Sequence, residues 1–177
     1  MTAPTCLLIG NFDGVHCGHQ ALIAQALSVA REEGYTTTVL TFDPHPTHVL
    51  APERAAPLLL TTERKRALLH QYGVDHVVIQ PFDIAFSQKS PRAFVQEVIT
   101  PLNARHIFVG SDFCFGYQRA GTIETLRELG TEFAYVVHAA KLFTLENLPV
   151  SSSRVRQALA TGDLEQAERL LGRSSAS

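Results

Sequence analysis

The sequence predicts an α/β fold: a doubly wound, Rossmann-like parallel sheet of about five strands, helices on both faces, and a small C-terminal helical segment. Three observations carry this expectation. Short strand-like runs alternate with segments of helical periodicity along most of the chain. Those runs are almost continuously apolar, as strands covered on both faces are. The unusual polar segments follow strands, at the edge where open parallel sheets bind their ligands.

The first run is CLLIG at 6–10, and the helix after it contains HQALIAQALSVAREEG. Its Leu22, Ile23, Ala26, Leu27 and Ala30 share one helical face, and Gly34 is a natural stop. TTTVLTF at 36–42 reads as the second strand, and TERKRALLHQYG as a helix whose basic turn at 62–66 is expected to be a solvated face. HVVIQ at 76–80, a helix around PRAFVQEVIT, HIFVG at 106–110, a helix around TIETLRELG and FAYVV at 133–137 complete the alternation. After Pro149 the pattern changes to two short helices, SRVRQALA and DLEQAERLLG, separated at Gly162. Asp163 with Gln166 three residues on resembles a capping box, and RSSAS ends the chain as a frayed tail.

Composition narrows the function classes. The 177 residues, 45% of them hydrophobic, suit one domain with a good core. A net charge of −2 gives no global positive field for nucleic acid or an anionic membrane, so any anion site must be local. The longest apolar runs fall well short of the roughly 20 residues of a membrane span, and the N-terminus lacks the basic region of a signal peptide. A cytoplasmic address follows as the expectation. Cys6, Cys17 and Cys114, odd in number and without paired spacing, read as reduced thiols.

The polar segments NFDGVH, DPHP, PFD, GSDFCFG and HAAK follow the five strands and are expected to converge on one site. His16-Cys17-Gly18-His19 opens a helix, where free N–H groups and the positive dipole end favour a phosphate and Gly18 permits close approach. Two imidazoles three residues apart can both donate to a reacting phosphoryl group. Metal binding competes, though no companion Cys/His pair is spaced for it, and a histidine-rich turn with one core histidine also stays open. Ser151, Ser152 and Ser153 can cap a helix or address phosphates, with Arg156 a planar fork one turn on; a plain serine cap with surface arginines is the alternative. Asp43 and His45 sit in a proline-stiffened turn from which one of them can orient substrate or a magnesium-bound water. Phe113, Phe115 and Tyr117 crowd a glycine loop beside Asp112 and Arg119, offering a flat apolar wall and a phosphate partner, or else core aromatics.

GNFDGVHCGHQAL resembles the H-x-G-H signature of a nucleotidyltransferase superfamily in the longer form found in bacterial FAD synthetases, and PVSSSRVRQAL is similar to the second signature. TFDPHP, GVDHVV, VGSDFCFGYQRAG and GDLEQAERLLGR are also similar to segments of that adenylyltransferase module, so the resemblance runs from the first strand to Arg173. It implies a single nucleotidyltransferase domain over 1–173, a tail at 174–177, and AMP transfer from ATP to FMN with release of pyrophosphate. It implies ATP phosphates on His16 and His19, a floor from Gly10, Asn11, Phe12, Asp13, Gly18 and Ser151, and the leaving pyrophosphate on Ser152, Ser153 and Arg156. Asp13 is expected to orient the motif and not to act as a base. Asp43, His45, Asp112, Phe113, Phe115 and Arg119 fall to the flavin side, and Mg2+ is expected mainly on the ATP phosphates.

Three departures qualify the match. Cys114 stands where arginine is frequent in the family, Thr122 where an acidic or amide residue is usual, and the chain stops at Ser177 without the riboflavin kinase domain that normally follows. Three readings of that stop stay open: an isolated module, a standalone enzyme that takes FMN from a separate riboflavin kinase, or a duplicated domain with another acceptor. A related nucleotidyltransferase with another phosphate-bearing acceptor, and a non-catalytic nucleotide or flavin-binding module, remain the alternatives.

Overall fold

A computed structural model describes residues 3–175. Five parallel strands form the main sheet in the order β3-β2-β1-β4-β5: β1 Thr5–Ile9, β2 Thr36–Asp43, β3 His76–Pro81, β4 Ala104–Gly110 and β5 Val136–Ala140. The chain reverses its direction of travel across the sheet after β3, which sets β1 and β4 side by side. Open parallel sheets bind ligands at such a switch, beyond the carboxyl ends of the strands.

Alternation along the central strand divides the core. Cys6 and Leu8 face α1 (Cys17–Glu33) and α3 (Thr62–Gln71), joining Leu22, Ile23, Ala26, Ala30, Leu68 and Leu69. Leu7 and Ile9 face the opposite layer, with Phe94, Val95, Ile99, Ile123 and Leu126. That layer consists of α5 (Pro91–Phe94), continued by a π turn at Val95–Ile99 and a 3-10 turn at Thr100–Leu102, and of α6 (Ile123–Phe133). β1 is buried along its whole length, which is why its sequence shows no polar alternation. Gly34 ends α1 in the left-handed conformation at φ 69°, as its position predicts.

Several expected boundaries move. The fifth strand begins at Val136, because Phe133 completes α6, packs into the core and lies under Arg92. Gly130 makes this turn possible: a Cβ there would stand 2.6 Å from the Tyr135 carbonyl oxygen. After the DPHP turn, a stretch with no expected element forms the short helix α2 (Pro46–Leu50), followed by a 3-10 turn at Pro52–Arg54. A second short helix, α4 (Ile84–Ser87), is capped by Asp83. The strand pair β6 (Thr144–Leu145) and β7 (Leu148–Pro149) also carried no sequence signal.

The C-terminal segment is α7 (Ser152–Ala160) and α8 (Leu164–Leu171), and their own small core of Val155, Ala158, Ala167, Leu170 and Leu171 also takes in Cys17 and Leu59. Asp163 caps α8, but the Gln166 side chain turns to Glu146, so the reciprocal half of the box is missing. Ser174 and Ser175, expected to fray, both bond Glu168, while 176 and 177 lie outside the described residues. Among the described residues the cysteines are free thiols, and no helix is long and apolar enough to cross a membrane.

Candidate active site

The turn from β1 into α1 is held in an unusual path. Phe12 and Val15 take positive φ of 50° and 42° although both are fully buried, and Gly14 between them has φ 83°. A Cβ on Gly14 would stand 2.7 Å from Leu59. Such conformations persist only where surrounding contacts over-determine them, and here the contacts are visible. Arg173 donates to the carbonyls of Gly14 and Val15 at 2.6 and 3.1 Å, and Gln20 Nε2 bridges Val15 to Leu171 at 2.8 and 2.6 Å. α8 thus acts as a brace behind the turn.

At the end of this path stand the two histidines. His16 is 7% exposed and caps α1, its Nδ1 accepting from the His19 amide at 3.4 Å. The bond leaves the His16 proton on Nε2. The His19 ring stacks on it at 3.7 Å between centroids and 14° between planes, with Phe12 5.0 Å away on the other side. His19 Nδ1 is buried without a partner among the described residues, and because an unmet buried N–H is costlier than an unmet acceptor we assign its proton to Nε2 as well. Burial lowers the His16 pKa to about 4, and burial followed by the charges of His16 and Lys65 holds His19 well below its ordinary value. At neutral pH the pair is therefore two uncharged rings, each with one Nε2–H donor, beside the N-terminus of a 17-residue helix.

Burying a neutral ring carries a pH signature. The unfolded chain takes up the His16 proton near 6.5, the folded chain only near 4. Between those values the unfolded state binds more protons, so stability falls as pH drops from about 6.5 to about 4 and levels off below. We expect denaturant midpoints over this range to fall steeply in the wild type and less so in His16→Gln; parallel profiles would contradict this account.

The second motif meets the first through a buried ion pair. Asp13 is 5% exposed; its Oδ1 accepts from the Leu59 amide at 2.9 Å and its Oδ2 from Arg156 Nη2 at 2.5 Å. Arg156 Nε donates to the Pro57 carbonyl at 2.8 Å, and its Nη1 has no partner among the described residues. Ser152 Oγ donates to the Asp13 carbonyl at 2.7 Å. Ser151 caps α7, accepting from the Arg154 amide, and Ser153 is exposed. Arg154 binds the carbonyls of Leu145, Leu148 and Pro149, fastening the β6–β7 hairpin.

The expected roles redistribute accordingly. Phe12 is core, since its ring lies wholly buried under His19 and cannot line a ligand. Ser152 and most of Arg156 serve the junction, because the Asp13 peptide and carboxylate are nearer partners than solvent. Gly10 and Gly18 fit close packing: a Cβ would lie 3.2 Å from the rings of Phe12 and His16 respectively. The Asn11 carbonyl accepts from Thr41 Oγ1 and from Lys65 Nζ.

His45 caps α2 through Nδ1, and Asp43 accepts from Thr62. The His45 pKa is lowered first by burial, with the charges of Asp13, His48, Lys65 and Arg156 also acting on it. The 111–122 loop is different. Phe115 is 7% exposed, bridges Gly121 and packs on Phe94, so it belongs to the core and forms no part of a ligand wall. Phe113 stacks on it at 5.5 Å, half-buried, while Asp112 and Arg119 are exposed. Tyr117 N donates to the Lys89 carbonyl, anchoring the loop to the start of α5. No hydrogen bond or ring contact among the described residues joins it to the histidines. Thr122 has a local duty, a capping box with Thr125 at the start of α6.

Sequence reasoning missed a buried polar contributor, Lys65. Lys65, read as part of a solvated basic turn, is 8% exposed and reaches both Asn11 and Thr41. A signal existed: Leu68 and Leu69, three and four residues later, place Lys65 on the apolar face of α3. Arg173, Gln20 and the 57–59 segment were also missed, because their partners lie far away in sequence.

A family model described as FAD synthetase matches residues 1–154. The chain is 41% identical over 166 residues to the bifunctional riboflavin kinase/FMN adenylyltransferase of Pseudomonas fluorescens, covering 93% of this chain and 53% of that protein. It is 37% identical to the protein of the same name from Bacillus subtilis (96% and 54% covered) and 35% identical to a FAD synthetase of Listeria monocytogenes (94% and 68%). The chain spans about half the length of the bifunctional relatives. Among solved structures, one described as a macrolide-efflux protein from Streptococcus pneumoniae superposes with a TM-score of 0.85 at 29% identity, covering 98% of this chain and 66% of that one.

Proposed function

The chain belongs to the FAD synthetase family, and on that premise we propose that residues 1–173 form an FMN adenylyltransferase, which moves AMP from ATP to FMN in the cytoplasm. A phosphate oxygen of FMN attacks the α-phosphorus of ATP in line, the bond to the β-phosphate oxygen breaks, and FAD and pyrophosphate leave. The acceptor is already ionised, so no base is required. The protein's contribution is positioning and charge stabilisation.

The observation that carries this reading is the stacked neutral pair, His16 and His19, each with an Nε2–H donor beside the start of α1. Such donors strengthen their bonds as negative charge grows on the transferring phosphoryl oxygens. Asp13 orients: with Arg156 and Leu59 on its two oxygens it locks the turn and the start of α7 together. The free Nη1 edge of Arg156 and the exposed hydroxyl of Ser153 are the parts of the second motif left for the pyrophosphate end. Magnesium enters with the nucleotide as part of the substrate, held by phosphates and water. Asp13 is fully engaged and Asp43 binds Thr62, a donor set unsuited to a direct protein cage.

We assign Asp43, His45, Asp112, Phe113 and Arg119 to the flavin end, with the half-buried Phe113 as its ring face. Thr122 is occupied as a helix cap, so its departure from the family pattern says little about the acceptor. FMN comes from a riboflavin kinase, the other activity in the names of the bifunctional relatives. Pyrophosphate release with ATP and magnesium, comparing FMN, riboflavin and no acceptor, tests the proposal. FAD formed with FMN alone is the expected result. ATP binding without FMN turnover would transfer the reading to another phosphate-bearing acceptor, and silence with every acceptor to a binding module.

A further inference from the structure

Lys65 is the buried lysine of the described residues, and its surroundings are unusual for a cation. Its Nζ donates to the Asn11 carbonyl at 3.1 Å and to Thr41 Oγ1 at 3.0 Å, and Thr41 Oγ1 donates to the same carbonyl at 3.0 Å. Both acceptors are neutral. No carboxylate among the described residues lies within ion-pair distance of it. A buried charge without a direct counter-ion is costly, and an apolar side chain would fill this position on α3 more cheaply.

We propose that Lys65 is a positioning residue of the adenylyl-transfer site, its ammonium clamping the Asn11 carbonyl and the Thr41 hydroxyl so that the 10–16 turn presents the stacked histidines with a fixed positive charge beside them. This rests on the reading above, in which the incoming phosphates supply the missing negative charge. Three elements meet at the clamp: α3 brings the cation, β2 the hydroxyl, and the turn after β1 the carbonyl. The groups that feel or modulate the charge are Asp13, Asp43, His19 and His45, all in the motif turn, the start of α1 or the 43–45 turn. Burial lowers the Lys65 pKa, Asp13 and Asp43 oppose that, and the ammonium in turn helps keep His19 uncharged.

The test uses Lys65→Met, Lys65→Arg and Thr41→Val with two readouts: the His19 titration followed by NMR on the free protein, and kcat and KM with ATP and FMN. In Lys65→Met the His19 titration should move up in part, since burial and His16, which lower it more than Lys65 does, remain, and kcat should fall about tenfold or more, with the ATP KM within about threefold. Lys65→Arg should keep the low His19 titration while kcat falls, because the guanidinium retains the charge but misplaces the clamp. Thr41→Val should leave the titration unmoved and still lower kcat, and it stands in if Lys65→Met does not fold. An unmoved His19 titration in a folded Lys65→Met, or wild-type kcat in both Lys65→Arg and Thr41→Val, overturns the assignment. Wild-type protein inactive with FMN but with the expected shift in titration would sink the proposed function and leave the placement of Lys65 intact.

Discussion

His19→Ala should lower kcat/KM with ATP and FMN by about 100- to 1,000-fold, the range seen when one preorganised donor to a developing oxyanion is removed. The reason lies in how the ring is held. Its Nδ1 is buried without a partner, its face lies on His16 and its flank on Phe12, so the Nε2–H is left as its donor. Because His16 fixes the His19 amide through Nδ1, the two rings act as a unit. The double variant His16→Ala/His19→Ala should therefore lose much less than the product of the single losses. Steady-state pyrophosphate release measures both, with thermal unfolding as the control for folding. Turnover within threefold of wild type in folded His19→Ala would remove the histidine from the chemistry.

Arg156→Ala should destabilise the protein by about 3 kcal/mol, the lower part of the cost of breaking a buried ion pair. The side chains of Arg156 and Asp13 are 23% and 6% exposed, so solvent screens the pair weakly. Removing the guanidinium strands the Asp13 carboxylate and also frees the Pro57 carbonyl. Arg156→Lys should recover only part of this, since a single ammonium cannot reproduce a fork that serves Pro57 through Nε and Asp13 through Nη2. Asp13→Asn in the Arg156→Ala background should recover stability by removing the stranded charge, without recovering activity. Urea denaturation reads all three. An unchanged midpoint in Arg156→Ala would mean that the two motifs are held together by α7–α8 packing alone.

Much of this was legible in the sequence, for physical reasons that differ from element to element. β1 and the Ile107–Val109 stretch of β4 were readable because strand segments buried on both faces are continuously apolar, and α1 because a polar start, an apolar stripe and Gly34 agree. His16 and His19 were readable because a helix start and a three-residue spacing fix both their place and their side. The fifth strand was misplaced because Phe133 is equally apolar as a helix end or a strand start, and only Tyr135 packing on Gly130 decides between them.

Sequence by itself determined the class of fold and the family, and it singled out the histidine pair of the candidate site. These depend on local periodicity, capping and short motifs, all written within a few residues of one another. Tertiary structure decided the rest. It put Phe12 and Phe115 into the core, committed Ser152 and Arg156 to Asp13, braced the turn with Arg173, and carried Lys65 from an apparently solvated turn to the Asn11 carbonyl. Each outcome turns on a contact between residues at least 20 positions apart or on burial in a shared core, and a side chain's partner across that distance is set only when the sheet order and the helix layers have closed around it.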